Sequence, residues 1–154
     1  MLRFGAVLLS LLHLISPIYS SDVLVLTDQT FASAISNGPT LVDFFAPWCG
    51  HCKLMAPIYE ELASTMKRQA PTVQIASVDC TVQMRLKDEY DIRGFPTIKL
   101  FMDGTITEYH YPRSLQHFTI FLERQGAIGW RKGGGSSPQA PAPQGGGPFQ
   151  QLAQ

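Results

Sequence analysis

The stretch Ala46-Pro47-Trp48-Cys49-Gly50-His51-Cys52-Lys53 does most to limit how this chain can fold. An apolar run, Leu41-Val42-Asp43-Phe44-Phe45, stops directly before it, and a long helical pattern begins within it. A strand must therefore turn into a helix with two cysteines at the junction, and a Cys-x-x-Cys pair in that position reads as a dithiol redox site. Cys49 falls at the helix N-terminus, where unpaired N–H groups and the helix dipole favour a thiolate. The thiolate is the nucleophile of disulfide exchange, and Cys52, one turn further in, can close a small disulfide ring and expel a bound partner. Between them, His51 adds a positive charge beside the sulfurs when protonated.

The strand Thr40–Phe45 carries apolar residues on both faces, Leu41 and Phe45 on one, Val42 and Phe44 on the other, which places it inside a sheet. Asp43 shares the face of Leu41 and Phe45 and reads as a buried carboxylate whose pKa rises with desolvation. The plainer alternative is a locally solvated notch, but perturbed carboxyls gather at working sites. A metal reading fares badly. Cys49, Cys52 and His51 cannot all face one ion from a single helical turn, and a structural zinc needs four ligands. Neither a metal nor an organic cofactor is expected.

With 154 residues and 45% hydrophobic residues, the chain suits one globular domain. Its formal net charge is zero and it has no basic block, so neither nucleic acid nor an anionic membrane surface is indicated. The three cysteines are too few for a disulfide scaffold. Cys80 is left over and reads as a small buried hydrophobe, the sharper alternative being a third redox thiol.

Residues 1–20 read as a signal peptide cut after Ser20: Arg3 is charged, Phe4 to Ile15 is apolar but short for a bilayer, and Ser16-Pro17 breaks it. The rival is a retained anchor, against which the length and the proline argue. Cleavage implies an oxidising compartment, with no stable membrane insertion afterwards. Residues 21–130 form the domain. The expected elements are strand Val23–Leu26, helix Gln29–Ser36 capped by Thr27 or Asp28, and strand Thr40–Phe45. A helix from Cys49 to Gln69 follows, kinked at Pro57, with Leu54, Ile58, Leu62 and Met66 as its apolar stripe. Then come strand Val73–Asp79 and a helix over Thr81–Tyr90, with Met84 and Leu86, or Leu86 and Tyr90, inward. A hairpin turning at Asp103-Gly104 joins strands Ile98–Phe101 and Ile106–His110. The last helix carries Leu115, Phe118, Phe121 and Leu122 on its apolar face, and His110 and His117 are surface residues. Residues 131–154 read as a disordered Gly/Pro/Gln-rich tail, and from 133 on they carry no charge. The closing Gln151-Leu152-Ala153-Gln154 is not a retention signal of the Lys-Asp-Glu-Leu type.

The segment Ala46 to Lys53 resembles the active site of the protein disulfide isomerase family, a branch of the thioredoxin-like proteins, almost letter for letter. The resemblance covers about residues 22 to 128. It implies an α/β thioredoxin-like fold, a mixed central sheet with helices on both faces. A buried acid stands six residues before the first active cysteine in that family, as Asp43 does before Cys49. Asp43 is thereby implied to take the proton of Cys52, and it is the more thioredoxin-like choice where isomerases usually carry Glu. Arg93-Gly94-Phe95-Pro96-Thr97 matches a family loop whose proline is cis and faces the active disulfide. Phe95 and Pro96, with Trp48, are thereby implied to meet the substrate, Phe95 offering its backbone as in strand addition. Arg93 is implied to swing toward Cys52 and lower its pKa. From spacing alone Arg93 would be a solvated loop charge, and Pro96 a trans residue at a strand edge.

Two departures stand out. Family members place a lysine near the buried acid in the strand after the long helix, yet this chain has no lysine or arginine from 69 to 84. They also commonly have Gly where Tyr111 stands, at the rim of the binding groove. The expected function is a thiol–disulfide oxidoreductase of the endoplasmic reticulum lumen or a secreted one. It would act on client proteins bearing thiols or disulfides, with glutathione or another redox partner. The alternative is a non-catalytic module that holds client chains.

Overall fold

The computed structural model describes residues 20–132, so the expected leader and nearly all of the expected tail lie outside the described residues. The order is β1 (Leu24–Val25), α1 (Phe31–Ser36), β2 (Thr40–Phe45), α2 (Gly50–Gln69), β3 (Gln74–Asp79), α3 (Met84–Glu89), β4 (Thr97–Met102), β5 (Thr105–Glu108) and α4 (Leu115–Arg124). The strands form one sheet in the order β1-β3-β2-β4-β5. β1, β3 and β2 run parallel, and β4 and β5 pair antiparallel, so the sheet is mixed.

β2 lies in the middle, as its two apolar faces require. Leu41 joins a core with Met55, Leu62 and Met66 of α2 and Phe118 and Leu122 of α4. Val42 and Phe44 join a second core on the other face, with Phe31 of α1 and Leu86 of α3. Two helices thus cover each face of the sheet. The hairpin turns where Asp103 (φ 50°) and Gly104 (φ 76°) adopt left-handed backbone, the form that suits a two-residue turn.

Several local expectations shift. The inward stripe of α2 is Cys52, Met55, Tyr59, Leu62, Ala63 and Met66, while Leu54 is 74% exposed. Repeated steps of four drift around a 3.6-residue helix; the buried stripe alternates steps of three and four. β1 shrinks to two exposed residues at the sheet edge. α3 is shorter than expected, with Met84 exposed and Leu86 and Tyr90 turned inward. Pro57 sits inside α2 without ending it.

Candidate active site

β2 and β3 run parallel, so their C-terminal ends open at the same edge of the sheet. There the chain leaves Phe45, passes Ala46, Pro47 and Trp48, and enters α2 with Cys49 as its N-cap residue. The extended backbone of Cys49 (φ −73°, ψ 117°) aims its side chain back over the first turn. Its Sγ accepts the main-chain N–H of Cys52 at 3.3 Å. The Cys49 thiol also lies 3.5 Å from the carbonyl oxygen of Phe95, to which it can donate. Both cysteines are buried and free, packed with Ala46 and against Phe45 and Phe95.

The two sulfurs are electrostatically unlike. Cys49 is held below the ordinary thiol value, first by a hydrogen bond from the Cys52 thiol and then by the main-chain N–H groups of Cys52 and His51. Cys52 is pushed up to about 12, first by burial and then by donating to Cys49. One sulfur is a ready nucleophile, and the other needs a base. His51 contributes through its backbone, and its side chain is exposed.

Asp43 is 7% exposed, and burial raises its carboxyl to about 7 despite an opposing pull from Arg113. It faces Ser77 across the β2–β3 ladder, where the resembling family carries its lysine nearby. Asp43, Cys52, Tyr59 and Ser77 line one cleft of about 230 Å³. The Asp43 Oδ1 has no hydrogen-bond partner among the described residues. Tyr59 reaches in from α2 and donates to the carbonyls of Leu41 (2.9 Å) and Ala76 (3.2 Å), keying the helix onto the two strands beside Asp43.

The Phe95–Pro96 bond is cis, and Pro96 is buried. Trp48 is 71% exposed and meets the Phe95 ring edge-on, with centroids 5.9 Å apart. The structure therefore brings Cys49, Cys52, Trp48, Phe95 and Pro96 together, with Asp43 behind Cys52. It does not bring Arg93 to Cys52. The Arg93 side chain is 84% exposed and bonds Asp91 at 2.8 Å, which stabilises the loop charge where it stands. The cation whose field reaches Asp43 is Arg113, on the loop between β5 and α4. It lines a second cleft with Pro96, Thr97 and Tyr111. Arg113 was missed because only its place before the α4 cap Ser114 marked it. Cys80 is buried, with its thiol pushed up to about 12 mainly by burial. Among the described residues, no group of three or more His, Cys, Asp or Glu side chains is placed to hold a metal ion.

The Thioredoxin family profile matches residues 22–124. Protein disulfide-isomerase A4 of Rattus norvegicus is 42% identical over 66% of this chain and 16% of its own length. Protein disulfide-isomerase erp38 of Neurospora crassa is 41% identical over 74% of this chain and 32% of its own. The chain thus spans a third or less of these curated relatives. A solution structure of the first thioredoxin domain of mouse protein disulfide-isomerase A4 superposes with a TM-score of 0.64 at 32% identity, covering 82% of this chain and 89% of that one.

Proposed function

The chain belongs to the thioredoxin family, and from that we propose that it is a thiol–disulfide oxidoreductase of the protein disulfide-isomerase type, acting on proteins of the secretory pathway. The observation that carries this reading is the unlike pair: a Cys49 sulfur held as an acceptor at the start of α2, and a Cys52 thiol buried behind it.

The Cys49 thiolate attacks one sulfur of a client disulfide. That bond breaks, the other client sulfur leaves as a thiolate, and a Cys49–client disulfide forms. Cys52 then gives its proton to the Asp43 carboxylate and attacks the Cys49 sulfur. The mixed disulfide breaks, the second client sulfur departs, and the Cys49–Cys52 disulfide remains. The client has gained two electrons and the pair has lost them. Run backwards, the same steps oxidise a dithiol client, and stopping at the mixed disulfide permits rearrangement. Glutathione or another redox partner resets the pair, and no step calls for a metal or organic cofactor. Trp48 and Phe95 supply an aromatic edge for the client, beside the Phe95 carbonyl. The leader-like residues 1–20 support placing this work in the endoplasmic reticulum lumen or outside the cell.

The test is a pair of substitutions and an equilibrium. Cys49→Ser abolishes turnover, and Cys52→Ser accumulates mixed disulfides with client proteins. Full activity without Cys49 overturns the assignment. Client binding that survives loss of both cysteines, with no redox cycling, makes the chain a holding module instead. Equilibration with glutathione then sets direction: an oxidising potential means disulfide donation or rearrangement, a reducing one means client reduction.

A further inference from the structure

The segment ahead of β1 is fastened along one side of α2. Ser21 Oγ donates to Glu60 Oε1 at 2.7 Å. Asp22 accepts from Ser64 Oγ at 3.0 Å and pairs with the Lys67 ammonium. Glu60, Ser64 and Lys67 follow one another at steps of four and three, so the anchors share a helix face. The Val23 N–H donates to Ser21 Oγ at 3.1 Å. Val23 packs against the core under α2 and α4 and forms one wall of the 230 Å³ cleft that holds Asp43 and Cys52. β1 has only two residues, and these side-chain anchors add to its pairing with β3.

We propose that residues Ser21–Val23 are a tethered strap that walls one side of the cleft beside Asp43 and limits the water reaching that carboxyl, and that Val23 is thereby a positioning residue for it. The inference rests on the reading of Asp43 as the group that takes the proton of Cys52. Asp43 is only 7% exposed, and its Oδ1 is unpartnered among the described residues, so its proton affinity follows how much water the cleft lets reach it. The groups around it are few. Ser77 of β3 is neutral, Cys80 follows β3, Cys49 caps α2, which offers Cys52, Tyr59, Lys53 and Glu60, and Arg113 approaches from the loop before α4. Burial outweighs the pull of Arg113. The strap stays fastened where Asp43 titrates, because Lys67 and then Ser64 hold the Asp22 carboxyl below its ordinary value.

The experiment follows the Asp43 side-chain carboxyl by carbon NMR across pH in the full chain and in Asp22→Ala and Val23→Ala variants. Cutting the tether or trimming the wall hydrates the carboxylate, so its acid dissociation constant rises about tenfold. An unchanged constant in Asp22→Ala, with hydrogen exchange showing residues 21–23 released, overturns the strap. Asp22→Ala removes only polar contacts at the surface, so it reports even if Val23→Ala unfolds the chain. The readout needs no turnover. A shifted carboxyl in a chain whose cysteines never cycle keeps the strap and fells the enzyme reading; an indifferent carboxyl in a cycling enzyme fells the strap alone.

Discussion

The Cys49 sulfur lies 3.5 Å from the carbonyl oxygen of Phe95, a residue 46 positions further along the chain. The contact is to main chain, while the Phe95 ring packs against the cluster of Cys49, Cys52 and Ala46 and lies edge-on to the exposed Trp48. Such aromatic pairs contribute about 0.5–1.5 kcal/mol beyond the area they bury. Phe95→Ala removes both the Trp48 contact and the cover over the sulfurs, so it should weaken client binding by about two- to tenfold and also shift the glutathione equilibrium of the cysteine pair. Peptide titration by fluorescence, beside redox equilibration, separates the two. A changed potential with unchanged peptide binding would show that the ring serves the sulfurs alone.

Thiol reactivity should rank the three cysteines. Cys49 is held below the ordinary thiol value by donors around it, whereas Cys52 and Cys80 are each pushed up to about 12, chiefly by burial. At pH 7 limited iodoacetamide should label Cys49 in the reduced native chain and leave the other two, which react only after unfolding. Peptide mass mapping reads the result. Early labelling of Cys80 would assign it a redox role in place of a packing one.

What was legible in the sequence is what local pattern encodes. The α2 N-terminus at Cys49 follows from an apolar run meeting a helical one, and the burial of Asp43 from its place between Leu41 and Phe45 on a two-faced strand. What was not legible depends on contacts between distant segments. Nothing in the local pattern marks Tyr59, whose hydroxyl donates to carbonyls on two strands. Nor does local pattern mark Ser21 and Asp22, whose partners on α2 lie 39 and 42 residues away. The resemblance carries Arg93 toward Cys52, whereas from spacing alone it is a solvated loop charge, and in the structure it is exposed. Asp91, two residues before it, gives it a partner that spacing did not reveal.

The raised carboxyl of Asp43 makes a stability prediction of unusual sign. Burial lifts it from 3.8 to about 7, so between those values the folded chain holds a proton that the unfolded chain has released. Stability attributable to this group is then greatest at and below pH 4, falls as pH rises toward 7, and is lowest above it. At about 1.4 kcal/mol for each pH unit separating the folded and unfolded midpoints, the full swing is on the order of 4 kcal/mol. Asp43→Asn should abolish that slope and leave the chain more stable than wild type at pH 8. Urea unfolding at pH 5 and pH 8 measures it; parallel pH dependence in the two chains would mean Asp43 is solvated. The same variant should slow release of a client from Cys49 by about a hundredfold or more, the usual loss on removing a general base.

Arg113 and Arg93 offer a direct comparison of two cations near the site. Arg113 favours the ionised form of Asp43 from the loop before α4, while Arg93 spends its charge on the exposed Asp91. Removing the Arg113 guanidinium as Arg113→Met takes away an attraction that only the carboxylate feels. The Asp43 midpoint should then rise further, and less of the acid is available as base at pH 7. Resolution of a Cys49–client disulfide should slow by about two- to fivefold at pH 7 and recover at pH 9, where the carboxyl is ionised regardless. The matching Arg93→Met change should leave both rate and pH profile as they are, since the pair is exposed, screened by solvent and touches neither sulfur. Stopped-flow release of a fluorescent peptide from Cys49 distinguishes them. If Arg93→Met slows resolution and Arg113→Met does not, the loop carrying Arg93 must rearrange when a client binds, because only then would its charge reach Cys52.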